Sequence, residues 1–305
     1  MKRSIFAFAI LGCCVAASAS DPPKRPRIVG IARVRIVTSD ISAARSFYAK
    51  VLGRAHDCNW CEDLPGRSFL VNLNQSITLS NAPSPAPSNL IEEVDFVTDN
   101  VAVLRRYLTA NKITVSKPNK PEDNYLSAAD PEGHRIGFVQ RSETPVLTER
   151  QSQSLDMVFP SKLRIIHAGI IVHDQAAEDY FYKDILGFRL YWHGGRTDDE
   201  TSWVNMQVPD GTDWIEYMLN VSPNADRHTL GVMNHIAIGV TDIKSETARL
   251  RQEEVVPILE EPKIGRGGKW QLNLYDPDDT RIEFMEFTPA QKPCCSEYTG
   301  PHPKP

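Results

Sequence analysis

The sequence predicts an α+β protein in which four copies of one unit are arranged as two modules. Four segments each combine a short β-rich stretch, an aspartate and an amphipathic helix. Two longer motifs also recur, one after 134 residues and the other after 146 residues. Repetition at fixed spacing indicates duplicated supersecondary units rather than one irregular domain.

The first observation is the aspartate at the end of each predicted strand. These residues are Asp40, Asp99, Asp174 and Asp242. A side chain at this position can accept hydrogen bonds from the free N–H groups of the next turn, as helix N-caps do. We therefore predict that a strand ends and a helix begins at each of the four.

The two longer motifs pair the units. The stretch Phe47–Gly53 returns as Phe181–Gly187, with Phe-Tyr at its start and Leu-Gly at its end, where a helix C-terminus favours a left-handed glycine. The turn Asp130–Ile136 returns as Asp276–Ile282 and precedes a final strand. Each half of the chain is thus predicted to contain strand, helix and several strands, twice over.

Together these motifs resemble the βαβββ unit of the vicinal oxygen chelate superfamily, the glyoxalase, bleomycin resistance and dioxygenase type. The resemblance covers about residues 28 to 287. It implies tandem βαβββ units in two glyoxalase/dioxygenase-type modules, each with curled mixed sheets. The predicted order along the chain is a signal peptide (1–20), module 1 (28–142), a linker (143–162), module 2 (163–287) and a disordered tail (288–305).

The N-terminus has the three regions of a secretory signal: basic Lys2 and Arg3, an apolar stretch, and small residues before prolines. We therefore expect an exported protein, periplasmic or secreted, with lipid anchoring at Cys13 as the alternative. The formal net charge of −5 gives no indication of nucleic-acid binding, and beyond the signal no apolar run is long enough to span a bilayer. The expected partner is a small-molecule substrate, and the expected state is a monomer or homodimer.

The cysteines of an exported protein are first interpreted as disulfide partners. The candidates are Cys58 and Cys61, which form a Cys-x-x-Cys motif, and the adjacent Cys294 and Cys295. The sequence leaves their connectivity open.

Four residues of module 2 form a candidate metal site. His167 and Glu216 are separated by 49 residues, and His235 and Glu283 by 48, so the pair is duplicated with the fold. Two imidazoles and two carboxylates suit one borderline divalent cation: Zn, Ni, Co, Mn or Fe. The alternative is two buried, hydrogen-bonded histidines and two surface acids.

Strand alternation agrees with the site, since residues two apart face the same side of a sheet. His235 shares its face with small residues and His167 shares its face with Gly169, which leaves room in a cup. In module 1 the same register places Arg33, Glu92 and Gly137 at the positions of His167, His235 and Glu283. We therefore predict that the module 1 site is degenerate.

The ligand set resembles that of glyoxalase I, which implies a lyase or isomerase using metal-stabilised enolate chemistry, with Glu283 as base and Glu216 as its partner. The resemblance also assigns substrate contact to Asn220. Where the glyoxalase has an arginine for the glutathione carboxylate, this chain has Ile171, so the glutathione hemithioacetal is not the expected substrate. Arg266 and Lys269 lie in a loop that could close over an anionic ligand.

Two other functions remain open. His167, His235 and Glu283 alone would form the triad of an extradiol-type ring-cleavage dioxygenase, although Glu216 would then occupy a position that such an enzyme needs free. The third possibility is a non-catalytic small-molecule binding protein of the resistance type.

Overall fold

The computed structural model describes residues 23–53, 68–118, 124–141, 162–257 and 259–305. The predicted signal peptide, Cys13, the Cys58/Cys61 motif and most of the predicted linker lie outside the described residues. Within the described part of the chain, no helix is long and apolar enough to cross a membrane.

Within its described residues, the first module contains one six-stranded sheet and two helices. Its strands lie in the order β2-β3-β1-β4-β6-β5. The elements are β1 (Ile28–Thr38), α1 (Ile41–Val51), β2 (Ser68–Asn72), β3 (Gln75–Asn81), β4 (Ile91–Thr98), α2 (Val101–Ala110), β5 (Tyr125–Ala129) and β6 (Arg135–Gln140).

The second module contains one eight-stranded sheet in the order β12-β13-β14-β11-β7-β10-β9-β8. Its helix α3 continues directly into a π-helical turn, Tyr180–Ile185. The elements are β7 (Arg164–Ile171), α3 (Gln175–Asp179), β8 (Arg189–Gly194), β9 (Trp203–Gln207), β10 (Trp214–Met218), α4 (Arg227–Met233), β11 (His235–Val240), α5 (Ile243–Gln252), β12 (Lys263–Ile264), β13 (Trp270–Tyr275) and β14 (Arg281–Glu286).

The two sheets share one plan, which confirms the α+β prediction. An antiparallel pair of strands lies at the centre of each sheet: β1 with β4 in the first and β7 with β11 in the second. Each central strand pairs on its other side with a parallel strand that ends its own unit: β3, β6, β10 or β14. Both sheets are mixed and curled.

Three of the four predicted N-caps are confirmed and one is wrong. Asp40, Asp174 and Asp242 each accept hydrogen bonds from the first turn of the helix that follows. The cap of α2 is Asn100, whose side chain accepts from Val103 N at 2.8 Å. Asp99 instead accepts from the backbone N–H of Arg27. The second unit is therefore offset by one residue from the register that the aspartates suggest.

The two longer motifs meet across the module boundary. The Tyr48 hydroxyl donates to Asp276 at 3.1 Å, and the Tyr182 hydroxyl donates to Asp130 at 3.2 Å. All four side chains are buried. Each Phe-Tyr helix is thus bonded to the Asp-Pro turn of the other module, and this reciprocal contact fixes the modules against each other.

The C-terminal segment differs from the predicted disordered tail. Thr299 N donates to Tyr191 O at 3.0 Å, and Ser296 exchanges hydrogen bonds with the backbone of His193. Gln207 Nε2 donates to Pro301 O at 3.0 Å. Although the tail has no core of its own, it covers the open edge of β8, where unpaired backbone groups offer it partners. Within this segment Cys294 and Cys295 form a disulfide with each other.

Candidate metal centre

The four predicted ligands lie on the four central strands of the second sheet. His167 is on β7, His235 on β11, Glu216 on β10 and Glu283 on β14. Their order across the sheet follows from pairing: Ala237 of β11 lies opposite both His167 and Glu283. The duplication therefore places one histidine on each strand of the central pair and one glutamate on each of the two strands that flank it.

The nitrogen and oxygen atoms of these side chains converge. The Nε2 atoms of His167 and His235 are 3.0 Å apart. Glu216 Oε2 lies 3.7 Å from the Nε2 of His167 and 3.2 Å from that of His235. Glu283 Oε2 lies 3.6 Å from both Nε2 atoms. His167, Glu216 and His235 offer ligand atoms that all lie within 4.8 Å of one another. Glu283 adjoins this group through its contacts with the two histidines.

Protonation states explain why this cluster fits a cation. Both histidines are completely buried, and burial holds the pKa of each well below its usual range, so both are neutral. His235 Nδ1 lies 2.9 Å from Met233 O and must carry the proton to donate there, which leaves a lone pair on its Nε2. The lone pair of His235 Nε2 and the oxygens of two carboxylates thus point at one region. A divalent cation bound there would accept these lone pairs and balance the negative charge of the carboxylates.

Residues behind the ligands hold them in place. Gly169 lies opposite His235, and a Cβ there would come within 2.1 Å of the His235 ring, so the small residue makes room for the imidazole itself. With its amide nitrogen facing Glu216, Asn205 donates to Glu216 Oε1 at 2.8 Å and accepts from Trp214 Nε1 at 3.1 Å. The Trp214 ring also packs against His167, with centroids 4.8 Å apart.

Glu283 is the most perturbed acid of the site. Its side chain is 4% exposed, and burial raises its pKa to about 7, with a further contribution from the Glu216 charge. A carboxyl group with a pKa near neutrality can both accept and return a proton, which is the property required of a general base.

The three predicted substrate-contacting residues lie in different environments. Asn220 is exposed at the end of β10 and donates to Thr201 O at 3.0 Å. Arg266 forms an ion pair with Asp198 and donates to Gly195 O. Lys269 is buried, and its Nζ has no hydrogen-bond partner among the described residues. Substrate contact by all three stays a prediction.

The first module fills the equivalent positions with ion pairs. Strand pairing places Arg33 where His167 is, and Gly137 where Glu283 is, as predicted. The equivalent of His235 is Glu93, and the prediction of Glu92 is wrong because of the one-residue offset at α2. Arg33 binds Asp95, and Glu93 lies 3.3 Å from Arg135.

Sequence reasoning missed Asn205, Trp214 and the tail residue Tyr298. Trp214 lies two residues before Glu216 on the same strand face, which is a weak signal for proximity to the site. Asn205 faces Glu216 only through strand pairing. Tyr298 packs beside the site because the C-terminal segment is held against β8: its ring centroid lies 4.8 Å from that of Tyr191 and 5.2 Å from Lys269 Nζ.

Comparison with known proteins agrees with this geometry. The family model described as Glyoxalase/Bleomycin resistance protein/Dioxygenase superfamily matches residues 164–284. The match spans nearly the whole of the second module. The matched region includes all four candidate metal ligands.

Two relatives with assigned names align with parts of the chain. One is lactoylglutathione lyase of Haemophilus influenzae, 28% identical over 125 residues, which are 41% of this chain and 93% of the relative. The other is human mitochondrial methylmalonyl-CoA epimerase, 29% identical over 153 residues, which are 47% of this chain and 87% of the relative.

Solved structures resemble both modules together. A variant of homoprotocatechuate 2,3-dioxygenase from Brevibacterium fuscum has a TM-score of 0.62 at 19% identity, over 92% of this chain and 75% of the other. The Arthrobacter globiformis enzyme has a TM-score of 0.60 at 19% identity, over 86% and 80%. At this identity the likeness concerns the fold, and it confirms the two-module architecture.

Proposed function

We propose that the second module is a metal-dependent lyase or isomerase that removes a proton beside a carbonyl group of a small oxygenated substrate. The observation that supports this most is the convergence of two neutral imidazoles and two carboxylates on one point. A bound divalent cation would supply Lewis acidity, lowering the free energy of negative charge that develops on a substrate oxygen. The lyase and epimerase names of two relatives agree with this reaction class.

In this proposal Glu283 is the base. It lies within the ligand cluster, so a substrate oriented by the site presents its acidic C–H to that carboxylate. In the metal-free protein burial raises the pKa of Glu283 to about 7. A carboxylate beside the substrate can remove a proton and return it. Glu216, anchored through Asn205, is the second carboxylate and lies on β10, beyond the central pair from Glu283.

The substrate is proposed to differ from a glutathione hemithioacetal. The glyoxalase resemblance requires an arginine four residues after His167, and Ile171 occupies that position. Ile171 is buried at the end of β7 and pairs with Met218 of β10. An apolar side chain here offers no hydrogen bond to a glutathione carboxylate.

The second candidate is an extradiol-type dioxygenase, favoured by the likeness of both modules to such structures. Against it, Glu216 Oε2 lies 3.2 Å from His235 Nε2, inside the ligand cluster. A fourth protein donor there takes a position that oxygen or a catecholate would need. A resistance-type binding protein is the third candidate, and it requires no metal.

The test is elemental analysis of the purified protein, followed by turnover assays under air and under nitrogen. We expect about one divalent ion per chain, and oxygen-independent proton exchange or isomerisation of small α-hydroxy or α-oxo carbonyl compounds. His235→Ala should lose the metal, whereas His173→Ala, at a half-exposed histidine away from the cluster, should retain it. If the protein contains iron and consumes oxygen when catechols are added, the dioxygenase function replaces this proposal. If the purified protein contains no metal, the result favours a resistance-type binding protein.

A further inference from the structure

Lys269 is a buried cation for which the described residues provide no hydrogen-bond acceptor. The residue is 1% exposed, and its Nζ has no hydrogen-bond partner there. Three N–H donors left without acceptors in a buried site destabilise the charged form of the side chain. Burial accordingly lowers the pKa of Lys269 to about 7.

Aromatic rings surround this amine on several sides. Its Nζ lies 5.1 Å from the centroid of Trp214, 5.2 Å from that of Tyr298 and 5.7 Å from that of Tyr191. Ring faces attract a cation but accept no strong hydrogen bond, so they stabilise the charge without satisfying its donors. The surroundings of Lys269 are thus suited to a charged amine that acquires its acceptor from a ligand.

The position of Lys269 is fixed by its backbone and by the tail. Gly265 N donates to Lys269 O at 2.9 Å, which closes the turn before β13. Tyr298 donates its hydroxyl to Gly267 O at 2.8 Å in the same turn. The ring that the C-terminal segment contributes is therefore bonded to the loop that presents the lysine.

The amine also lies beside the candidate metal centre. Trp214 contacts both Lys269 and His167. The negative charge of Glu283 acts on Lys269 and raises its pKa, against the effect of burial. A small molecule bound at the candidate metal centre can therefore face the His/Glu cluster with one end and Lys269 with the other.

We propose that Lys269 is the anion-binding residue of the cup, and that the substrate carries a carboxylate in addition to the oxygen pair that faces the His/Glu cluster. This inference rests on the proposed function only in taking the cup as the substrate site. The carboxylate supplies the acceptors that the buried ammonium lacks, and the rings of Trp214, Tyr191 and Tyr298 form flat walls around the group. Arg266, the other cation of this loop, is already paired with Asp198.

The experiment compares two probes that differ in charge, 3,4-dihydroxybenzoate and 3,4-dihydroxybenzamide, by calorimetric titration. Zinc-loaded full-length protein should bind the carboxylate at least about tenfold more tightly than the amide, the effect of a charge-assisted hydrogen bond. In Lys269→Met the preference should fall to about one. Lys263→Met removes an exposed charge from the same hairpin and should keep the preference.

Controls separate this inference from the proposed function. Lys269→Met removes an uncompensated buried charge, so the unfolding free energy of this variant should not fall below that of the wild type. The preference of the wild-type protein for the carboxylate probe over the amide probe is a second measurement, and it needs no variant. The same titrations on metal-free protein test Lys269 even if no metal is found. Equal binding of the two probes by wild-type protein, or an unchanged preference in Lys269→Met, would overturn the inference while leaving the metal site intact.

Discussion

Gly169 offers the most direct mutational test of the site because it contacts the candidate metal ligand His235 but cannot bind metal through a side chain of its own. In Gly169→Ala, the added Cβ would lie 2.1 Å from Cε1 and 2.2 Å from Nδ1 of His235, whereas ordinary contact begins near 3.4 Å. The imidazole must therefore move by more than about 1 Å, and metal–ligand distances tolerate only about 0.2 Å. The Nδ1 hydrogen bond to Met233 O, now 2.9 Å long, would also be disturbed.

We expect metal affinity to fall by about 100-fold, at the upper end of the effects seen when the support of a ligand is altered. The unfolding free energy of the metal-free protein should fall by about 1–3 kcal/mol from overpacking. The assay is chelator competition with zinc or cobalt, combined with urea unfolding.

Gly239→Ala is the matched control. Its Cβ would meet Phe287 at 2.3 Å and Ile166 at 2.8 Å, so the crowding is similar but no metal donor is displaced. It should lose stability and keep its metal affinity. If Gly169→Ala binds metal within about threefold of the wild type, or if both variants lose affinity equally, the placement of the His235 ring is refuted.

Three further predictions concern the base, its titration and the module contact. Glu283→Gln should abolish turnover but retain part of the metal, by elemental analysis; unchanged turnover would remove Glu283 from the mechanism. Burial raises the pKa of Glu283 from 4.5 to about 7, so in metal-free protein its stabilising effect is fully present below pH 4.5 and is lost as pH rises through 7. The unfolding free energy of wild type relative to Glu283→Gln should therefore fall by about 3 kcal/mol across this window, and a flat difference would contradict the burial argument. Tyr182→Phe leaves buried Asp130 short of a donor and should cost about 1–3 kcal/mol in urea unfolding, whereas Tyr180→Phe, 59% exposed, should cost almost nothing; equal losses would refute the contact.

Duplication made most of the fold and the metal cluster predictable from the sequence. Because the strand carrying His167 and the strand carrying His235 are copies, the nearly equal spacings of 49 residues to Glu216 and 48 residues to Glu283 predict that the four side chains lie close together. Local chemistry was equally informative where one residue decides the structure: Gly53 and Gly187 have positive φ values of 67° and 78°, as a helix C-terminus requires.

The errors arise where several residues compete for one role. Asp99 and Asn100 can both cap a helix, and the choice of Asn100 shifts the strand register so that Glu93 rather than Glu92 faces the cup. The tail shows no hydrophobic periodicity, yet it is held by Tyr298 and by backbone bonds to β8, and such long-range contacts leave no local signal. Lys269 likewise lacks a hydrogen-bond acceptor among the described residues because aromatic rings from distant parts of the chain surround its amine.

The central claim is that one divalent ion is shared by His167, Glu216, His235 and Glu283. Anomalous diffraction from crystals of the metal-loaded protein, measured at the absorption edge of the metal found by elemental analysis, tests it most directly. We predict one peak per chain, about 2.0–2.2 Å from both Nε2 atoms and from a carboxylate oxygen of each glutamate. A peak elsewhere, or an empty cluster in protein that contains stoichiometric metal, would contradict the claim.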